Sequence, residues 1–309
     1  MNRRGVLPSE LTRRRVLSHT AALAVLDFGG RLRFAAAQEV TPERGDPLAQ
    51  WAPGQTATIN GAALYYEVHG PVDSEPVLLL HGGRANAEWW ANLAPVLVAA
   101  GYRVVAMDSR GHGRSAWSDA SIIYAQMAAD VIGLLDHLGI AKTDVVGWGD
   151  GAIIALELAI HYPERLGRVV AYAANFTPEG VQFVSSDQIP PFERLIADYR
   201  RLSPEPERFE ELTGVLDELY AVGPNYSETE LQSIGVPVLI LDGASDEFVR
   251  PEQPARIAEL IPGAELVLIP GTGHFAPFAK PAVFNQIVLD YLAGRAVSAA
   301  TPPAGIPTS

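Results

Sequence analysis

Short apolar runs and longer amphipathic segments alternate along the chain between about residue 55 and residue 294. Short runs are typical of buried strands, and apolar residues three or four positions apart are typical of helices that face a core. The predicted strands are Pro76–Leu80, Tyr102–Met107, Asp144–Val146, Arg168–Ala173, Val238–Leu241 and Glu265–Ile269, with a hairpin over Ala57–Val68 around Asn60-Gly61. The predicted helices are Ala87–Ala100, Ile122–Leu138, Gly151–His161, Glu252–Leu260 and Ala282–Leu292. This alternation predicts an α/β fold, with a mostly parallel sheet covered by helices on both faces.

The segment 176–234 interrupts the alternation. It contains two helical patterns, Pro191–Leu202 and Glu207–Ala221, and no clear strand. An insertion of this size predicts a helical cap over the sheet, and a peripheral decoration is the alternative. Its larger apolar residues could line a pocket or pack the cap, and their helical spacing favours packing. They are Tyr199, Phe209, Leu212, Leu216 and Tyr220.

The length allows one large α/β domain or two small ones, and the composition predicts a full core. The chain has 309 residues, of which 48% are hydrophobic, so disorder is not expected over most of it. The α/β core is predicted to span residues 55–175 and 235–295. Because there is no cysteine, disulfides and thiolate metal sites are excluded, and the spacing of His and acidic residues gives no metal-ligand cluster. The net charge of −13 and the lack of a basic patch argue against a nucleic-acid partner.

The N-terminus resembles a twin-arginine export signal over residues 1–37. Thr12-Arg13-Arg14-Arg15-Val16-Leu17 carries the basic motif, an apolar stretch runs from Ala21 to Phe28, and Ala35-Ala36-Ala37 offers a cleavage site. Asp27, Arg31 and Arg33 depart from the pattern, and a disordered basic tail is the alternative. The apolar stretch is too short to span a bilayer.

Export predicts a periplasmic or extracellular protein with no stable membrane span in the mature chain. Loss of residues 1–37 would leave 16 basic and 34 acidic residues, a net charge of −18. Residues 38–54 are expected to form a linker. Residues 296–309 are rich in Ala, Pro, Ser and Thr without periodicity, and are expected to be a disordered tail.

A glycine cluster lies between a predicted strand and a predicted helix. Gly147-x-Gly149-x-x-Ala152 fits the dinucleotide fingerprint G-x-G-x-x-G/A, whose glycines let a pyrophosphate approach a helix N-terminus. The context argues against this interpretation. Several strands precede the cluster, Trp148 is bulky for a phosphate loop, and the next strand ends without the acid that would hold a ribose.

Five segments resemble motifs of the α/β-hydrolase family, in the order in which that family has them. They are the oxyanion loop His81-Gly82-Gly83, the D-x-R-G-x-G-x-S segment Asp108–Ser115, the nucleophile elbow within Val145–Ala152, the acid turn Leu241–Asp246, and the histidine loop Ile269–Phe275. The resemblance covers about residues 55–294. It implies the α/β-hydrolase fold, with the insertion as its cap.

The elbow departs from the family pattern at its central residue. The family has G-x-S-x-G, a sharp turn that exposes the nucleophile, whereas this chain has Gly147-Trp148-Gly149-Asp150-Gly151. Gly149 has no side-chain oxygen or sulfur, so no acyl-enzyme can form there. Asp150 is one residue out of register and no easy replacement.

The rest of the family's catalytic set has counterparts here. The resemblance implies His274 as base, Asp246 as its orienting acid, and the backbone N–H groups of Gly83 and Asp150 as oxyanion donors. A purely structural Gly-His turn and an Asp that caps a helix are the alternatives. His81 and His112 are expected to be structural.

Three functions fit these residues. The protein could hydrolyse a small ester or lactone through water activated by His274 and Asp246, with a lyase or isomerase as a related version. It could bind a small apolar ligand or a partner without catalysis. It could also be a serine esterase in which Gly149 replaces the serine. No metal or organic cofactor is implied, the expected ligand is a small molecule, and the oligomeric state is not determined.

Overall fold

The computed structural model describes residues 53–182 and 192–298, together with four residues of a separate N-terminal unit. In that unit, β1 (Ala24–Val25) pairs antiparallel with β2 (Arg33–Phe34). The rest of the predicted export segment, nearly all of the predicted linker, and residues 299–309 lie outside the described residues. No helix in the described part is long and apolar enough to cross a membrane.

One eight-stranded sheet organises the larger unit. Its strands are β3 (Gln55–Ile59), β4 (Ala62–His69), β5 (Pro76–Leu80), β6 (Arg103–Met107), β7 (Thr143–Trp148), β8 (Leu166–Tyr172), β9 (Val238–Gly243) and β10 (Glu265–Ile269). The spatial order is β10-β9-β8-β7-β5-β6-β4-β3. The six strands from β10 to β6 are parallel, and β4 and β3 are added antiparallel at one edge.

Helices pack on both faces of the sheet, as the alternation predicts. They are α1 (Ala94–Ala99), α2 (Tyr124–His137), α3 (Asp150–His161), α4 (Phe192–Leu202), α5 (Phe209–Val222), α6 (Glu228–Gln232), α7 (Glu252–Leu260), α8 (Ala276–Ala279) and α9 (Pro281–Leu292). Alternate residues of β5 belong to two separate apolar clusters. Leu78 and Leu80 pack in the cluster that contains α2 and α3, while Val77 and Leu79 pack in the one that contains α1 and α9. The predicted fold class is therefore confirmed.

The predicted helix Ala87–Ala100 is divided in two. A 3₁₀ turn covers Ala87–Trp90, and α1 begins only at Ala94. Pro95 explains the break, because its ring cannot follow a preceding helical turn but fits the first turn of a new helix. The prediction of one continuous helix was wrong at this point.

The insertion between β8 and β9 is helical where the structure describes it. It contributes α4, α5 and the short α6. An isolated antiparallel β-bridge between Val181 and Val249 joins the insertion to the segment that follows β9. Four of the five large apolar residues singled out in the sequence are buried in the cluster around α2 and α3, namely Tyr199, Phe209, Leu212 and Leu216. These four side chains therefore pack the insertion against the core, which is the role that their helical spacing favours.

Candidate active site

The residues predicted for the site follow four parallel strands at their carboxyl ends. Gly83 follows β5, Gly149 follows β7, Asp246 follows β9 and His274 follows β10. Because parallel strands end at the same edge of a sheet, loops far apart in sequence meet there. The fold thus brings the oxyanion loop, the elbow, the acid turn and the histidine loop together.

Gly149 forms a tight turn between β7 and α3. Its φ of 55° and ψ of −118° lie in a region that residues with a Cβ rarely adopt. A Cβ built on Gly149 would lie 3.3 Å from Nε2 of His274 and 3.6 Å from Cα of Gly82. The turn therefore has the geometry of a nucleophile elbow and aims position 149 at the imidazole, although the residue itself supplies no reacting atom.

His274 and Asp246 form a hydrogen-bonded pair. Nδ1 of His274 lies 2.9 Å from Oδ2 of Asp246, so the neutral imidazole that donates there leaves Nε2 free to accept a proton. Oδ1 of Asp246 accepts the N–H groups of Phe248 and Val249, each at 2.7 Å. The imidazole is thus oriented by a carboxylate that is itself held by the backbone, which is the geometry of a general base.

The charges of this pair stabilise each other. Burial disfavours the imidazolium, but the charge and hydrogen bond of Asp246 outweigh burial and raise the pKa of His274 above its usual value. Burial would raise the pKa of Asp246, but the charge and hydrogen bond of His274 lower it. The carboxylate is therefore ionised at neutral pH, and it favours a proton on His274.

The backbone N–H groups of Gly83 and Asp150 are free to bind an oxyanion. Asp150 is the first residue of α3, where a helix has no internal acceptor for its N–H. Within the described part of the chain, the N–H of Gly83 also has no acceptor. The loop geometry is consistent with the donor role that the resemblance implies, and that role stays a prediction.

The Asp150 side chain makes contacts that the sequence did not reveal. Oδ2 accepts the hydroxyl of Tyr220 from α5 at 2.9 Å, and Oδ1 accepts the hydroxyl of Tyr124 from α2 at 3.3 Å. A Cβ on Gly83 would lie 2.8 Å from Oδ2 of Asp150. Burial raises the pKa of Asp150, against the lowering effects of the Tyr220 hydrogen bond and the Arg84 charge. The carboxyl group therefore lies beside the oxyanion loop and links the elbow to the cap.

Arg84 makes a second link between the oxyanion loop and the cap. Its Nη2 lies 2.5 Å from Oδ1 of Asp217 and 3.4 Å from the carbonyl oxygen of Thr213, both on α5. Its φ is 61°, an uncommon value for a residue with a side chain. The residue after Gly83 is thus held in an unfavourable backbone conformation while its guanidinium group is bound to the cap helix.

Aromatic rings surround the imidazole. Ring centroids of Phe248, Phe275 and Trp148 lie 4.7, 5.4 and 5.8 Å from that of His274. Nε1 of Trp148 donates to the carbonyl oxygen of His274 at 3.0 Å. The histidine loop is therefore attached to the elbow through the residue just before Gly149. Sequence reasoning treated Trp148 only as an obstacle to phosphate binding.

His81 and His112 have structural roles, as expected. The Nδ1 and Nε2 atoms of His81 bond to the carbonyl oxygen of Gly82 and to the N–H of Ser109, so it joins two loops. Nδ1 of His112 bonds to the carbonyl oxygen of Arg110. Burial lowers the pKa of His81 to about 3 and that of His112 to about 4. Both rings are neutral and buried, and each makes at least one hydrogen bond to the backbone.

The D-x-R-G-x-G-x-S segment is a scaffold for the oxyanion loop. Oδ1 of Asp108 accepts the N–H of Ala87 at 2.6 Å, and Oδ2 accepts that of Arg114 at 2.7 Å. Arg110 makes two bonds of 2.6 Å to the buried carboxylate of Asp130. Among the described residues no group of three or more His, Asp or Glu side chains is arranged to hold a metal ion.

Comparison with known proteins identifies the family of the chain. The alpha/beta hydrolase family matches residues 77–287. A protein of Variovorax paradoxus (strain S110) that carries the name carbamate hydrolase RutD is 31% identical over 255 residues, covering 74% of this chain and 96% of its own. The 2-hydroxy-6-oxo-6-phenylhexa-2,4-dienoate hydrolase of Burkholderia cepacia is 28% identical over 290 residues, covering 80% and 98%.

Solved structures show the same fold. The enol-lactonase from Burkholderia xenovorans LB400 superposes with a TM-score of 0.63 at 22% identity, over 77% of this chain and 100% of its own. With more than half of its length matched to the family, the chain belongs to the alpha/beta hydrolase family.

Proposed function

We propose that this hydrolase-family protein cleaves a small ester or lactone by direct attack of water, without a covalent enzyme intermediate. The observation that carries the proposal is the position of His274, whose Nε2 faces residue 149 while Asp246 holds Nδ1. A water at the place of the absent side chain would need to move only a few tenths of an ångström to lie within hydrogen-bond reach of Nε2, which is about 2.6–3.2 Å.

The proposed reaction uses the groups that remain. Nε2 of His274 takes a proton from the water as its oxygen attacks the carbonyl carbon, and the carbonyl electron pair moves to oxygen. The N–H groups of Gly83 and Asp150 stabilise that oxyanion. When the tetrahedral species collapses, the imidazolium returns its proton to the leaving alkoxide, and Asp246 stabilises the imidazolium until then.

The relatives support the substrate class. The first two compared carry the names of a carbamate hydrolase and a dienoate hydrolase, and a structural neighbour is an enol-lactonase. These are proteins that cleave small molecules by hydrolysis. A small ester or lactone is the substrate class closest to the chemistry of the site, because activated carbonyls need the least assistance from a covalent nucleophile.

A panel of short p-nitrophenyl esters and lactones tests the proposal, with the full chain run beside His274→Ala. Turnover that falls to the uncatalysed rate in His274→Ala supports water activation by the imidazole. A Tyr162→Phe variant, altered far from the predicted site, serves as control for handling and folding. Equal rates for the protein and His274→Ala, or no turnover, would contradict the proposal.

Mass spectrometry distinguishes direct attack from a covalent route. Protein quenched during turnover should carry no acyl adduct, because residue 149 has no nucleophile. An adduct on a residue of the predicted site would contradict direct water attack, even if hydrolysis is observed.

Ligand binding without turnover is the second candidate function, and Gly149 itself favours it. A site that keeps its cap and its aromatic walls but lacks the nucleophile can still hold a small apolar ligand. Tight binding of an uncleaved ester, measured by calorimetry in the absence of any turnover, would support this candidate over hydrolysis.

We further propose that residues 1–37 direct export, since they carry the basic motif, the apolar stretch and the cleavage site together. N-terminal sequencing of protein recovered from the periplasm should begin near residue 38. Replacement of Arg13, Arg14 and Arg15 by Lys should retain the protein in the cytoplasm, and unchanged export would contradict the proposal.

A further inference from the structure

The insertion between β8 and β9 begins with a segment that pairs with the loop carrying the predicted acid. This segment covers residues 176–182, and the loop, termed the acid loop, covers residues 246–250. The N–H of Gln182 donates to the carbonyl oxygen of Phe248 at 2.6 Å, beside the isolated antiparallel bridge that joins the two segments. The loop of Asp246 is therefore in direct contact with the insertion.

The side chain of Gln182 extends this contact along the acid loop. Its Nε2 donates to the carbonyl oxygen of Val249 at 3.1 Å and makes a longer contact of 3.4 Å with that of Asp246. With the backbone bond to Phe248, one residue of the insertion contacts the carbonyl oxygens of three acid-loop residues. The same three residues form the support of the predicted catalytic carboxylate, because the N–H groups of Phe248 and Val249 donate to Oδ1 of Asp246.

The peptide group between Phe248 and Val249 transmits the position of Gln182 to the carboxylate. Its carbonyl oxygen accepts the N–H of Gln182, and its N–H donates to Oδ1 of Asp246 at 2.7 Å. Because a peptide group is planar, its carbonyl and N–H groups turn together. A rotation of this group that broke the bond to Gln182 would also turn the N–H away from the carboxylate that orients His274.

Other bonds keep residues 176–182 in place. The carbonyl oxygen of Gly180 accepts the N–H of Arg250 at 2.9 Å. At the other end of the segment, the N–H of Phe176 donates to Oε1 of Gln253 at 3.1 Å, and Gln253 is buried. The segment is thus held at several points, and its last residue has a defined position beside the acid loop.

The acid loop depends on such bonds because a cleft borders it. The cleft has a volume of about 260 Å³, and its lining residues include Gln182, Asp246 and Val249. Side chains next to a cleft have fewer packing neighbours than those in the core, which is close-packed. The carboxamide of Gln182 therefore supplies on this side the restraint that packing supplies elsewhere.

We propose that Gln182 is a positioning residue, which holds the acid loop and thereby keeps the carboxylate of Asp246 aligned with Nδ1 of His274. The insertion then contributes to the geometry of the predicted base as well as to the packing around α2 and α3. The consequence for turnover rests on the proposed function, whereas the alignment of the pair can be measured without any substrate.

Gln182→Met tests the role of the side chain. Methionine has a similar length and volume, but it removes both carboxamide contacts while the backbone can still bond to Phe248. The carboxylate of Asp246 should then be less well aligned, so its stabilisation of the imidazolium should weaken. NMR titration of isotope-labelled His274 should show a pKa lower than that of the parent protein by about half a unit or more.

Gln286→Met is the matched control. It removes a carboxamide bond of 2.9 Å to Asp290 on α9, and it should leave the pKa of His274 unchanged. Both substitutions keep the charged groups that act on the imidazole. These groups are Asp246, Glu247 and Asp150. A pKa change confined to Gln182→Met therefore reports a change of geometry and not of charge.

A double-mutant cycle shows whether Gln182 acts through the carboxylate. In an Asp246→Asn background the charge that Gln182 aligns is absent, so Gln182→Met should leave the pKa of His274 almost unchanged. An equal fall in both backgrounds would overturn the proposal, because it would show a direct effect on the imidazole. An unchanged pKa in Gln182→Met alone, even with a lower free energy of unfolding, would overturn it as well.

Turnover gives a further measurement if the proposed function holds. Gln182→Met should lower kcat by at least about threefold with little change in KM, because the base is misaligned while the groups that contact the substrate are kept. If the parent protein does not hydrolyse the ester panel, the proposed function fails, while the NMR titrations still decide the role of Gln182. Should Gln182→Met not fold, Gln182→Asn replaces it, since its carboxamide is one methylene too short to reach both carbonyl oxygens.

Discussion

His274 places its Nε2 3.3 Å from the point where a Cβ on Gly149 would lie. The predicted base and the position where the family has its nucleophile are therefore in near contact, although they are 125 positions apart in the chain. The backbone at Gly149 also keeps the strained turn of an elbow, with a φ of 55°. The change from serine to glycine relative to the family pattern thus leaves the surrounding geometry in place.

Gly149→Ser should create a serine hydrolase. The new hydroxyl would lie next to Nε2 of His274, so ester hydrolysis should increase by roughly 100-fold or more. The variant should also show an acyl-enzyme burst, measured by stopped-flow with p-nitrophenyl acetate. The imidazole of His274 must shift slightly to accommodate the new Cβ, because a distance of 3.3 Å between that Cβ and Nε2 is a tight contact.

Gly149→Ala is the matched control for that experiment. It introduces the same Cβ and the same backbone strain without a hydroxyl, so both variants should lose about 1–3 kcal/mol of unfolding free energy. Only Gly149→Ser should gain activity. If the serine variant gains nothing while it remains folded, the oxyanion loop or the base is not in a productive position.

Hydrolysis should increase as the pH rises through the pKa of His274. The base works in its neutral form, and Asp246 raises its pKa, so the midpoint should lie above the usual value of 6.5. Asp246→Asn removes the charge that holds the proton, and the midpoint should move to lower pH. The maximal rate should fall by about 10²–10⁴-fold, because the amide no longer selects the correct tautomer. A pH–rate profile of both proteins measures this.

Acid should destabilise the fold below pH 6.5 through its buried neutral histidines. In the unfolded chain His81 and His112 take up protons near pH 6.5, whereas in the folded protein their pKa values are about 3 and 4. Their contribution to stability is therefore complete above pH 6.5 and is lost as the pH falls towards those values. In that interval each histidine lowers the free energy of unfolding by about 1.4 kcal/mol for each unit that the pH falls.

Proton binding by Asp108 should offset part of this loss of stability at low pH. Burial raises its pKa to about 6, so the folded state binds a proton there before the unfolded state does. Between pH 6 and 4 it offsets the contribution of roughly one of the two histidines. Urea unfolding at several pH values measures the slope, and Asp108→Asn should make it steeper. A slope in Asp108→Asn no steeper than that of the parent protein would contradict the raised pKa of Asp108.

The buried pair Arg110–Asp130 should contribute far more to stability than a surface pair of the same type. Both side chains are 1% exposed, and Asp130→Asn leaves the guanidinium group without a countercharge, at an expected cost of about 3–5 kcal/mol. Asp136→Asn breaks the contact with Arg165 at a carboxylate that is 65% exposed, and should cost about 0–1 kcal/mol. Chemical denaturation of the two variants compares them, and equal losses would contradict the difference in burial.

The order of the strands and of most longer helices was predictable from the sequence alone, and so was the position of every motif residue. Apolar runs and amphipathic periods are local properties, and the family motifs fall at fixed points between them. The hairpin around Asn60-Gly61 was predictable because both residues adopt positive φ, as that turn requires. The sequence also showed that position 149 lacks a nucleophilic side chain, because this depends only on the identity of one residue in one motif.

Only the tertiary structure decided what these residues face. The bond between Tyr220 and Asp150 joins residues 70 positions apart, and it depends on how the cap helix α5 lies over the elbow. The hydrogen bonds from the N–H groups of Phe248 and Val249 to Asp246 are close in sequence but depend on the path of the acid turn after β9. No local pattern specifies such contacts, because they arise from the packing of elements that the sequence places far apart or from the path of a turn. The sequence therefore predicted the candidate site residues, while the fold determined the charges and hydrogen bonds around them.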